Sequence, residues 1–167
     1  MDDEFSHVRD RVLARLGKLR PLEGIAATRD PQPADEAAVP ALHEAVPVDE
    51  VVAFLDAGWR FLSGDASRDE HGKRLFLDAD GHLKIDAGAL NLRFRPDADP
   101  ASIETYLAEH ALRVRRKLGF APNLFLVSTE TGEGMPDSVE LAQKLTSEDE
   151  ALVIYAEPVL IEGIGSR

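Results

Sequence analysis

The side chains able to do chemistry are few and scattered. Asp78 and Asp80 precede Gly81, the start of a pattern that in an EF-hand loop surrounds calcium with oxygen ligands. Such a loop needs another acid or asparagine two residues before Asp78, where Phe76 stands, and a glutamate six residues after Gly81, where Ala87 stands. A hairpin is the better reading, because a glycine accepts the positive φ of a tight turn and apolar residues alternate on both sides. The histidines, His7, His43, His71, His82 and His110, lack ligand spacing and are expected to be structural. With no cysteine there is no disulfide and no thiol nucleophile, and with Met135 as the sole internal methionine there is no soft metal site. No Gly-x-Ser-x-Gly run, Ser/His/Asp set or glycine-rich phosphate loop occurs. The expectation is a protein that is not an enzyme and holds neither metal nor cofactor.

The charge balance bears on partners. The 31 acidic and 19 basic side chains leave a formal charge of -12, so a phosphate backbone or an anionic bilayer repels the molecule as a whole. Nucleic acid and membrane are therefore not expected partners. No apolar run of signal-peptide length follows Met1-Asp2-Asp3-Glu4, and none reaches the length of a membrane span. If Met1 is the natural start, the expected location is the cytoplasm.

These residues need elements to position them, and the chain supplies the elements unevenly. Residues 1–48 read as an amphipathic helix over 3–19, with Phe5, Val8, Val12, Leu16 and Leu19 on one side and Arg9, Arg11, Arg15 and Lys18 mostly elsewhere. That helix is expected to dock on its own chain, and an acidic linker rich in Pro and Ala follows it. Residues 49–88 carry a short helix over 49–57 stopped by Gly58, a strand at 59–62, and a hairpin of 75–77 with 83–86.

From 89 to 158 the pattern is β-α-β-β-α-β. Leu90, Leu92 and Phe94 alternate in the first strand, Asp99 and Pro100 stand as N-cap and first residue of a helix, and Ile103, Tyr106, Leu107, His110 and Ala111 form its buried stripe. The basic residues 113–117 lead to a bend at 118–120 and a strand at 123–128. Asp137 and Glu140 have capping-box spacing at the start of a helix with Leu141, Ala142 and Leu145 as its apolar side. Leu152 to Tyr155 make the last strand. The expected class is α+β: a ferredoxin-like antiparallel sheet with two helices on one face, preceded by the hairpin and the helical extension. Many unrelated activities use that arrangement.

Particular residues on this frame narrow the choice. Asn91-Leu92-Arg93-Phe94-Arg95-Pro96, the run Val114-Arg115-Arg116-Lys117-Leu118-Gly119-Phe120-Ala121-Pro122-Asn123, Val127 and Val153-Ile154-Tyr155-Ala156-Glu157-Pro158 fall in order along residues 89–167. Together they resemble the N-terminal propeptide of subtilisin-like serine proteases, the fervidolysin-like type. Ile154 departs from the acidic residue more common there, and the acidic segment before Asp49 has no counterpart. The resemblance implies a folding template and inhibitor whose partner is a subtilisin-like protease domain, in cis or in trans. It implies that the sheet packs on the protease, with Tyr155, Glu157 and Pro158 at the interface. It also implies that residues 159–167 lie in the substrate cleft, where main-chain pairing supplies affinity and side chains fill pockets. Within that tail Arg167 would face the primary pocket, Ile164 the apolar pocket three residues earlier, and Gly165 and Ser166 the positions between. The alternative expectation is a stand-alone interaction or self-association module on the same sheet.

Overall fold

The computed structural model describes residues 5–29, 38–63, 73–129 and 137–162. The described residues are α+β, with five helices and seven strands in an antiparallel sheet. Among the described residues no helix is long and apolar enough to cross a membrane. The chain divides into two compact units, one of residues 1–17, 88–131 and 135–159, the other of 18–87, 132–134 and 160–167. The first helix thus belongs with the β-α-β-β-α-β segment, not with residues 1–48 as a block.

In the second of these units the expected linker holds structure. Strand β1 (Arg20–Thr28) runs antiparallel between β2 (Arg60–Ser63) and β3 (Lys73–Leu77), with Ala27 opposite Phe61 and Leu22 opposite Leu75. Its composition hid it for a physical reason. Ile25, Ala26, Ala27 and Thr28 are all buried, so this central strand shows a run of small residues instead of alternation. A register shift between Leu22 and Ala26, with Gly24 at φ +84°, interrupts the pattern further. Helix α2 (Ala38–Ala45) lies in the same expected linker; Pro40 is tolerated because the first helical turn has no bond for its nitrogen to donate.

Helix α3 (Val48–Asp56) is followed by Gly58 at φ +98°, which Gly adopts without penalty, and Gly58 and Trp59 donate back to Leu55 O and Phe54 O. Leu42, Val51, Phe54, Phe61, Leu75 and Ile85 make the centre of this unit's core, with Phe54 edge-on to Phe61 at 6.4 Å.

The hairpin forms as expected, with Leu77 opposite Leu83 and Gly81 at φ +83°. Its second strand, however, does not stop near Asp86. β4 (Leu83–Phe94) is continuous, joining two strands that the sequence separated, and Gly88 sits within it at φ +77°. Only residues 87–88 lay between the two expected strands, and Gly88 among them reads as a break, yet the strand runs through to its pairing with β6, which begins at Ala89 opposite Ser128.

The other unit contains α1 (Ser6–Gly17), the later part of β4, α4 (Pro100–Glu109), β5 (Leu112–Lys117), β6 (Leu124–Thr129), α5 (Ser138–Glu148) and most of β7 (Val153–Glu162). Its strands are ordered β7-β4-β6-β5. Register places Leu90 opposite Val127 and Leu92 opposite Phe125 on one face, and Asn91 opposite Leu126 on the other. Phe94 meets Tyr106 of α4 edge-on at 5.5 Å.

Helix ends follow the expected residues unevenly. Asp137 Oδ1 accepts the Glu140 N–H at 2.8 Å. Asp99 makes no such bond: its carboxylate stays exposed, and only its carbonyl is used, by the Ile103 N–H. At the end of α4, Ala111 leaves the expected buried stripe, exposed at φ +53° where the chain reverses into β5, and His110 is half-buried against Tyr106.

The largest departure is Arg9, placed by sequence on the outer side of its helix. It is 6% exposed, donating to Val153 O at 3.1 Å and to Thr146 O, with Glu150 at 3.7 Å. Replacing it, R9A, leaves those carbonyls without their charged donor and is expected to cost about 2–4 kcal/mol, read as a lowered denaturation midpoint in urea.

Candidate functional site

Of the residues singled out for an interface, Tyr155, Glu157 and Pro158 stand on β7, each half-buried. Ala156 between them is buried, and the Thr146 hydroxyl both accepts its N–H at 2.9 Å and donates to its C=O at 3.2 Å. Glu157 is paired with Arg15 of α1. β7 does not end at Pro158 but continues to Glu162, so 159–162 are strand and not free tail. Pro158 is tolerated because, among the described residues, β7 pairs only with β4, and a strand at an edge has amide positions with no ladder bond to lose. Ile164, Gly165, Ser166 and Arg167 lie outside the described residues.

The run between β5 and β6 acquires a structural explanation. Asn123 sits at φ +53°, a conformation that Asn tolerates better than most side chains. From there its amide donates to Arg95 O at 2.9 Å and Pro96 O at 3.4 Å, while its own carbonyl accepts the Phe94 N–H at 2.9 Å. One side chain thus ties the exit of β4 to the entry of β6. Phe120, before it, is 82% exposed.

The open edge of this unit is β5. Residues 113–117 are all exposed, and four of these five carry positive charge. Register places Arg113 and Arg116 on the sheet face shared by Ser128 and Leu126, whereas Lys117 lies opposite Phe125 on the other face.

A separate ionisable group occupies the hairpin turn. Glu50 of α3 is buried; its Oε1 accepts the Leu83 N–H and faces His82 Nδ1, each at 3.2 Å. Lys84, also buried, reaches Glu162 Oε1 at 2.5 Å and Asp78 Oδ2 at 3.7 Å. The Asp78 carboxylate that could have suggested calcium serves its own turn instead, accepting the N–H groups of Asp80 and His82 at 2.9 Å. These contacts hold α3 and the end of β7 to the turn. Sequence reasoning passed over Glu50 and Lys84 because each occupies a position where a solvated charge reads equally well.

Beside Tyr106 lies a groove of about 310 Å³, lined by Ser102, Thr105, Glu109, Asp149 and Leu152 among others. Burial first, then the Asp149 and Glu148 carboxylates, push the Tyr106 hydroxyl well above the ordinary phenol range, so it stays protonated.

No known protein family, curated protein or solved structure matches the chain. What the geometry offers is an antiparallel sheet whose β5 edge carries exposed basic residues, and a last strand, β7, that runs to Glu162.

Although burial raises the Asp78 pKa, the amides of His82 and Asp80 and the charges of Lys84 and His82 outweigh it, and the value lies below the ordinary 3.8. A depressed folded value means stability present above the unfolded pKa and lost as pH falls through the folded one. D78N is expected to lower stability at neutral pH and to flatten its decline below about pH 4, measured by denaturation across an acid series.

Proposed function

We propose that this chain is the propeptide of a subtilisin-like serine protease, a folding template and product-like inhibitor, with residues 88–159 as a ferredoxin-like domain. The observation that carries the reading is the strand order β7-β4-β6-β5 with α4 and α5 in the two crossovers, the order that interleaved β-α-β units produce. On it, the segments resembling the family take definite places: residues 118–123 between β5 and β6, and 155–158 on β7.

In this reading the face bearing Asn91, Leu126 and Ser128 meets the protease, and the chain beyond β7 enters the cleft. Five residues remain after Glu162, enough for about 17 Å of extended chain. That length still delivers Ile164 to the apolar pocket and Arg167 to the primary one. Glu157 enters the interface only by exchanging Arg15 for a helix N-terminus on the protease. The exchange is affordable, because a partly exposed ion pair is worth at most about 1 kcal/mol.

The full chain is expected to inhibit a responsive member of a panel of subtilisin-like proteases at well below about 1 µM, competitively with a peptide substrate. Deleting residues 163–167 should weaken inhibition at least about tenfold while leaving the fold intact by circular dichroism. Undiminished inhibition by the truncated chain would refute the product-like tail; a chain that inhibits none of the panel and dimerises would favour a self-association module.

A further inference from the structure

Among the described residues β5 ends its sheet, pairing only with β6. Arg113, Arg115, Arg116 and Lys117 are exposed along it, and none of the four makes an ion pair with a described residue. In a chain with 31 acids and 19 bases, four adjacent cations without acidic partners are a local excess of the minority charge. Arg115 is held by the Ser128 hydroxyl at 2.9 Å, and the Lys117 ammonium lies 6.0 Å from the centre of the Phe125 ring. Apolar surface adjoins them, with Val114 43% and Phe120 82% exposed.

The backbone is available as well. The Leu118 N–H donates inward to Leu124 O at 2.8 Å, so alternation turns the N–H of Lys117 to the open side. We propose that β5 is a docking edge for an extended acidic segment of a partner protein. The segment adds as a further strand, its carboxylates against Arg113, Arg115, Arg116 and Lys117 and an apolar side chain against Val114 or Phe120. A segment with a few acids feels these cations within a Debye length of about 10 Å, whereas a long polyanion also meets the net charge of -12. Charge and the register shift between Val114 and Arg116 are also devices that keep sheet edges from pairing, which gives the experiment its counter-outcome.

The probe is a fluorescein-labelled, end-blocked octapeptide of alternating glutamate and valine, titrated with the full chain and followed by anisotropy. Saturable binding is expected, weakened at least about tenfold by the double substitution R113E/R116E and by raising NaCl from about 0.05 to 0.5 M. The same peptide methylated at every backbone nitrogen should lose binding. Three results would overturn the proposal: undiminished binding of the methylated peptide; tighter binding of a single-stranded oligonucleotide than of the peptide; or no peptide binding, with self-association of R113S/R116S marking edge protection alone. The assay contains no protease and leaves residues 163–167 in place, so its failure and a failure of the inhibitor reading are separate events.

Discussion

The outer backbone of β7 is the constraint on which its unit depends. Among the described residues β7 pairs with β4 and with no other strand, so backbone polar groups left out of that ladder need partners from elsewhere. Two side chains bond the backbone of β7, the buried guanidinium of Arg9 on Val153 O and the Thr146 hydroxyl on both backbone groups of Ala156. Because Arg9 also bonds Thr146 O, the same contact fixes α1 against α5. A helix far away in sequence is thereby part of this fold, and the two ends of the four-strand order differ: β7 is served by side chains, and β5 presents exposed basic residues.

Inside the other unit the governing feature is β1, central between two antiparallel partners. Burial of four consecutive residues requires small side chains, and Ala26 and Ala27 meet that requirement at the cost of looking like linker. The polar turn beside it works in the opposite sense. Asp78, Glu50, His82 and Lys84 bond to backbone and to one another, so ionisable groups that resemble a ligand set act as fasteners.

Local chemistry made some elements legible. Asp137 before an apolar period, Gly58 after one, and alternation around Gly81 each name a backbone conformation that few other residues allow, and each is realised. The crossovers from β4 through β7 were legible because period changes from 2 to 3.6 and back. What was not legible depends on tertiary partners. Phe5, Arg9, Val12 and Leu16 follow helical spacing more closely than a stripe containing Val8, but a buried arginine is credible only once carbonyls are known to await it. The extension of β7 through residues 159–162 was hidden in the same way, since Pro158 reads as a stop unless the strand is known to lie at an edge.

That extension changes the energetics of the proposed inhibitor. A tail free from Val159 onward would have nine residues to order in a cleft, whereas β7 already orders the first four of them. At about 1–2 kcal/mol per backbone residue, roughly 4–8 kcal/mol of ordering entropy is spent in folding and not in binding. Lys84 on Glu162 Oε1 anchors the strand at its last described residue, the point from which residues 163–167 depart. For the proposed inhibitor, a strand that runs to Glu162 leaves fewer residues to order on binding than one ending at Pro158.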